Sequence, residues 1–206
     1  MGTDILVAQM LGTLGCGFAA GGVMTLSMLN IPTLILPARQ PASVAIPSQQ
    51  GPATPFPHLT HQWLDTYERG IRIFPVICLG ASVVNGYLAW ALRDMAAPES
   101  GIMGGSWSGY YATAIATTMG FVVWTMTVMK STNDRLMAIA TRDDAAAAEG
   151  TKGMVVDDQE KAKRAKEDAE ALELMKKWAN LNMFRAMFPL TGAIIGLYGI
   201  AKMSFT

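Results

Sequence analysis

Residues 5–36 read ILVAQMLGTLGCGFAAGGVMTLSMLNIPTLIL, and none of these 32 side chains is charged. A membrane-spanning helix needs about 20 consecutive, predominantly apolar residues. The stretch is therefore long enough for one span and an extension beyond it. We predict a first membrane-spanning helix at about residues 5–30.

Three further apolar runs of spanning length follow, at about residues 71–92, 107–129 and 186–205. Charged residues make up 16% of the chain, against about 25% in soluble domains. Most of them lie in the block 130–185, which separates the third run from the fourth. The sequence therefore predicts an all-α integral membrane four-helix bundle, with residues 1–206 forming a single membrane domain.

The two long connections have contrasting compositions. Seven of the ten prolines fall between Pro32 and Pro57, which favours extended or polyproline II backbone in the first loop. Residues 157–177 are rich in Ala, Glu and Lys with opposite charges four apart, so we expect a solvated helix continuing into the fourth span. The basic residues of both connections predict that loops one and three face the cytosol. We expect the protein itself to lie in the membrane of the endoplasmic reticulum or in another endomembrane.

Composition also excludes several functions. The formal net charge is zero, so no cationic field attracts nucleic acid. Cys16 and Cys78 both fall inside predicted spans and form no CxxC pair, which makes thiol redox chemistry improbable. His58 and His61 form an HxxH pair, but the neighbouring acids lack the spacing of a known zinc or di-iron site. We therefore predict no bound metal.

The fourth span carries its polar residues and glycines on one face. Steps of four and three residues connect Trp178, Asn182, Arg185, Pro189, Gly192, Gly196 and Gly199. Glycines in a membrane helix let a second helix approach closely, so the face is predicted to point into the bundle and to carry Asn182 and Arg185 inward. The alternative is that Arg185 snorkels to the lipid headgroups.

Polar residues also lie at the ends of the other spans. A small-residue stripe from Gly12 to Leu26 leads to Asn30 in the first span, and Asn133 lies on a methionine-rich face after the third. Before the second span, helical spacing places Trp63 and Tyr67 on one face. Glu68 lies about opposite, where it either joins a functional site or only pairs with an arginine one turn later.

These span ends all meet the same membrane face, because the first and third spans end where the second and fourth begin. Polar groups facing a bundle interior are costly, and a functional site is the first hypothesis for them. The candidates predicted at this mouth are Asn30, His58, His61, Trp63, Tyr67, Glu68, Asn133, Trp178, Asn182 and Arg185.

Three segments resemble those of a known family. They are WLDTYERG at residues 63–70 leading to Pro75, NDRL at 133–136, and WANLNMFR at 178–185 before Pro189 and Gly192. In this order they are similar to the small four-span anthrone oxygenases of fungal polyketide pathways, and the resemblance covers nearly the whole chain.

The resemblance implies oxidation of an anthrone-type polyketide to an anthraquinone by molecular oxygen, in secondary-metabolite biosynthesis and without flavin, haem or metal. His61 is the first candidate for the base that removes a methylene proton, followed by His58 and Glu68. Arg185 and Asn182 would hold the enolate oxygen.

Substrate binding would fall to the aromatic and amide residues of the same mouth. Trp63, Tyr67 and Trp178 would stack on the flat substrate, with Asn133 and Asn30 beside it. The alternative from another class is a non-enzymatic membrane scaffold or assembly factor, whose glycine stripes serve packing alone.

Overall fold

The computed structural model describes residues 2–39, 56–97, 105–148 and 158–204, and within these ranges the regular structure is helical. The prediction of an all-α fold is confirmed. The helices are α1 Thr3–Thr25, followed by a π-helical turn at Leu26–Asn30, α2 Ile31–Arg39, α3 Phe56–Ala91, α4 Trp107–Thr127, α5 Lys130–Ala148 and α6 Asp158–Ser204.

Three of the described helical stretches are long and apolar enough to cross a membrane: Thr3–Ile35, His58–Ala91 and Ala162–Met203. A fourth span is counted if α4 and Lys130–Arg142 are taken together as one span bent by 52°. The protein is therefore a membrane protein with three to four candidate spans, as the uncharged runs predict.

The first loop differs from its prediction. Residues 32–39 and 56–57, where the prolines predict extended backbone, are helical, and α3 begins at Phe56 rather than near residue 71. Pro57 is the second residue of α3, where a missing backbone N–H costs no helical hydrogen bond. Residues 40–55, the rest of the proline-rich first loop, lie outside the described residues.

The chain divides into two compact units. The first comprises Met1–Met24, Ile71–Thr127 and Met183–Thr206, and so contains most of each predicted span. The second comprises Thr25–Gly70 and Val128–Asn182. Nine of the ten predicted site residues belong to the second unit, and Arg185 belongs to the first.

The first unit is apolar outside and partly polar inside. Large hydrophobic side chains such as Phe18, Val76 and Leu197 are 64%, 66% and 58% exposed, while Gln9 and Thr118 are buried. In water this would be an aggregation-prone surface, whereas lipid solvates it. The pattern agrees with a unit that crosses the bilayer.

The glycine face of α6 accommodates polar side chains of other helices. A Cβ added at Gly192 would meet the hydroxyl of Thr118, and one added at Gly196 would meet the hydroxyl of Thr13. The sequence predicted close helix packing here. The structure shows which groups occupy the space that a Cβ atom would fill, and they include the hydroxyl oxygens of Thr118 and Thr13.

The second unit contains the charged helical region predicted before the fourth span. Arg135 of α5 donates to both carboxylate oxygens of Glu170 of α6, at 2.8 and 2.7 Å. Arg142 donates to Glu167 at 2.8 Å. The hydrogen bond from Arg135 lowers the pKa of the Glu170 carboxyl and raises the pKa of the arginine.

Candidate active site

The second unit contains a buried aromatic cluster formed by Trp63, Tyr67 and Trp178. Trp63 and Tyr67, one turn apart on α3, stack with ring centroids 5.3 Å apart and planes 11° apart. Trp178 of α6 meets Trp63 edge to face, with centroids 5.9 Å apart. Both tryptophans are almost fully buried. The structure thus brings together the three aromatic residues singled out in the sequence.

The two indoles differ in their hydrogen bonding. Trp178 donates from Nε1 to Oδ1 of Asn133 at 3.0 Å, and both side chains are buried. Nε1 of Trp63 has no hydrogen-bond partner among the described residues. Asn133 therefore fixes the orientation of the Trp178 ring, whereas the Trp63 ring contacts Tyr67 and Trp178 without a hydrogen bond from its indole nitrogen to a described residue.

The predicted asparagines bond to hydroxyl groups that the sequence analysis did not single out. Asn182 is fully buried, and its amide donates to Oγ of Ser27 at 3.0 Å. Asn30, which is half-buried, donates to Oγ1 of Thr66 at 3.2 Å. A serine or threonine on a helix carries no motif, and only the spacing of inward positions could have found these partners.

The histidines lie in a separate groove of the same unit. His58 and His61 line an open groove of about 430 Å³. Its other lining residues are Leu34, Gln62, Asp65 and Thr66. The Gln62 amide and Nε2 of His58 form a hydrogen bond of 2.9 Å, which engages one ring nitrogen of His58.

The groove and the aromatic cluster lie on different faces of α3. Trp63 follows His61 by two residues, which corresponds to about 200° around an α-helix. The bond from Asn30 to Thr66 places Asn30 beside the groove rather than beside the rings. Glu68 is exposed and is neither a groove-lining residue nor part of the aromatic cluster. Within this unit, the predicted site residues on α3 therefore form two groups, one at the groove and one in the aromatic cluster.

Arg185 is buried in the first unit. Its Nη1 donates to Oγ1 of Thr125 at 3.1 Å, and its guanidinium carbon lies 4.4 Å from the centre of the Phe121 ring. A snorkelling arginine would extend its guanidinium into the headgroup layer. The 6% exposure of Arg185 agrees instead with an inward orientation.

No cluster of three or more His, Cys, Asp or Glu suited to a metal ion is present in residues 2–39, 56–97, 105–148 and 158–204. The groove has the two histidines and Asp65 on its wall, but they do not form such a cluster.

Helices of membrane-spanning length that carry buried aromatic rings, buried amides and a histidine-lined groove define a small integral membrane protein with a candidate active site. Residues 63–195 match the family described as anthrone oxygenase, and the chain belongs to this family.

The relatives agree with this assignment. The chain is 32% identical over 200 residues to the noranthrone monooxygenase of Aspergillus flavus, covering 97% of this chain and 74% of the relative. It is 28% identical to the anthrone oxygenase of Claviceps purpurea, covering 90% and 83%. An anthrone oxygenase of Aspergillus novofumigatus is 26% identical, covering 90% and 88%. No solved structure matches the chain.

Proposed function

We propose that this protein is a monooxygenase that oxidises an anthrone-type polyketide to an anthraquinone with molecular oxygen. The observation that carries the proposal is the relationship to the noranthrone monooxygenase, which extends over 97% of this chain. An apolar, multi-ring substrate partitions into lipid, and a membrane protein meets it there.

The proposed reaction balances with oxygen as the only co-reactant. A base removes one proton from the central methylene, and the resulting delocalised enolate passes one electron to oxygen. The two radicals combine to form a carbon–oxygen bond, giving a hydroperoxide after protonation. Loss of the second methylene proton and cleavage of the O–O bond then give the second carbonyl and one water molecule.

His61 is the proposed base. Histidine titrates near neutral pH and can take a proton from a weak carbon acid. The groove that it lines, about 430 Å³, falls within the range of about 300–1,000 Å³ typical of small-molecule sites. His58 is the second candidate, because Gln62 already engages one of its nitrogens. The exposed Glu68 is the third.

The remaining roles are proposals that use the contacts within each unit. We propose that the half-buried Tyr67 stacks on the flat substrate and that the buried Trp63 and Trp178 support it from behind, with Asn133 positioning Trp178 through its hydrogen bond. Asn182 and Arg185 are the proposed donors to the enolate oxygen.

We propose that the reaction needs no cofactor. The motivation lies in the electron-rich enolate, which can reduce oxygen directly, and in the absence of thiolate pairs and nucleotide-binding glycine loops from the sequence. Elemental analysis and an absorption spectrum of the active, purified protein test this. A stoichiometric metal, haem or flavin whose removal abolishes turnover would contradict it.

Orientation is the second proposed property. Loops one and three are expected on the cytosolic side of the endoplasmic reticulum or another endomembrane. An acceptor site for N-glycosylation inserted between residues 149 and 157 should stay unmodified in microsomes. Glycosylation there would reverse the proposed orientation.

Oxidation of an anthrone by isolated membranes tests the activity itself. Microsomes containing the protein should convert an anthrone to the quinone in ¹⁸O₂, with one labelled oxygen in the product. Membranes without the protein measure the spontaneous oxidation. His61→Gln should lower the protein-dependent rate by about 10²–10⁴-fold, the usual contribution of a general base. A loss of this size in His58→Gln and not in His61→Gln would identify His58 as the base instead. If membranes that contain the unsubstituted protein oxidise the anthrone no faster than membranes without it, the proposal is refuted and a non-enzymatic scaffold is favoured.

A further inference from the structure

The interior of the first unit carries a line of buried polar side chains along several helices. On α4, Tyr111, Thr118 and Thr125 recur every seven residues, and all three are buried. At 1.5 Å per residue they extend over about 21 Å, against a hydrocarbon core of about 30 Å. Gln9 and Thr13 of α1 are likewise buried.

Glycines of α6 provide the space for this line. A Cβ at Gly196 would meet Thr13, and a Cβ at Gly199 would meet the Tyr111 hydroxyl, with the Gln9 amide nitrogen 3.7 Å away. The Gln9 amide donates to the Tyr111 hydroxyl at 2.7 Å. Gln9, Thr13 and Tyr111 therefore lie together against the glycine face.

The polar atoms of this interior that lack a hydrogen-bond partner among the described residues include Gln9 Oε1 and Thr13 Oγ1. Their side chains are only 1% and 8% exposed. Flipping the Gln9 amide would only exchange which of its ends is unpaired. Buried polar groups are nearly always satisfied by protein or ordered water, and in a bilayer no bulk water is available to them.

Water fits these atoms better than any other ligand. One water molecule donates two hydrogen bonds and accepts two, so it can serve the carbonyl of Gln9 and the hydroxyls of Thr13 and Tyr111 together. A buried water makes about three hydrogen bonds.

We propose that the interior of the first unit binds an ordered water molecule at the place formed by Gln9, Thr13 and Tyr111. This water satisfies the carbonyl of Gln9 and the hydroxyl of Thr13.

Water-edited solid-state NMR tests the proposal on the intact protein in phosphatidylcholine vesicles. Thr13 should receive magnetisation from water several-fold faster than Thr191, which is exposed on the outer side of α6 and donates to the Met187 carbonyl. Both threonines belong to the first unit. Equal, slow transfer to the two residues would overturn the proposal.

Thermal unfolding of Thr13→Val provides a second measurement with a predicted sign. Valine has nearly the same shape but removes one of the water's partners, so a hydrated site should lose a few degrees of Tm. If the hydroxyl is buried dry and unpaired, removing it should instead raise Tm. Thr191→Val is the matched control. A raised or unchanged Tm for Thr13→Val would overturn the proposal.

Discussion

Truncation of Arg185 should reduce activity more than it reduces stability. The charged hydrogen bond to Thr125 and the contact with the Phe121 ring are worth about 1.5–3 and about 2 kcal/mol. Removing a buried charge also removes its desolvation cost, so Arg185→Ala should lose about 1–3 kcal/mol of unfolding free energy. If the guanidinium holds the enolate oxygen, the rate should fall about 10²–10³-fold, as on loss of one oxyanion donor.

The assay compares anthrone oxidation in membranes after normalising to folded protein, measured by size-exclusion chromatography of a fluorescent fusion. Arg185→Lys should restore little activity, because an ammonium keeps the charge but loses the planar set of donors. Thr125→Val is the structural control, because it removes the acceptor seen in the structure and leaves the guanidinium. Equal rates per folded molecule for the parent, Ala and Lys proteins would refute an anion-binding role for Arg185.

Three further predictions concern packing and pH. Gly196→Ala should lower Tm, because the new Cβ would meet the side chain and backbone of Thr13. Gly17→Ala is the matched control: nothing lies within 4 Å of its Cβ, so Tm should stay unchanged or rise through the higher helix propensity of alanine. A lower Tm for Gly17→Ala than for Gly196→Ala would refute the packing. Trp178→Phe should lower Tm more than Trp63→Phe, because only the first variant leaves the buried Oδ1 of Asn133 without its donor. Equal losses of Tm would argue against a stabilising role for this hydrogen bond. The lowered pKa of Glu170 means that its ion pair contributes stability above the ordinary glutamate pKa and loses it as pH falls through the lowered value; Glu170→Gln should reduce the fall of Tm on acidification, by an amount kept small by exposure, and an unchanged pH profile would contradict this.

The spans could be predicted from the sequence because length and lack of charge are properties of the chain alone. Helical spacing also predicted that Trp63 and Tyr67 share a face, and their rings do stack. The same spacing places His61 and Trp63 on different faces of α3. The α3 start at Phe56 was missed because a proline-rich segment favours extended backbone, although proline in a first turn is compatible with a helix.

The hydroxyl partners could not be predicted. Thr66, Ser27 and Thr125 accept hydrogen bonds from residues that the sequence did single out. Serine and threonine in membrane helices usually bond to their own backbone one turn earlier, as Thr191 does. Which of them also accepts a bond from a distant side chain depends on tertiary packing, and no local pattern records it.

The π-helical turn at Leu26–Asn30 is equivalent to one extra residue inserted into an α-helix. Deleting a single residue there would let the segment return to regular α-helix, with the side chains on either side close to their present orientation. Winding all five residues as regular α-helix would instead turn the later side chains by about 100°. Within the second unit, Asn30 would then lose its alignment with Thr66. The extra residue held in this turn, rather than the type of any one side chain, therefore sets the direction in which the following residues point.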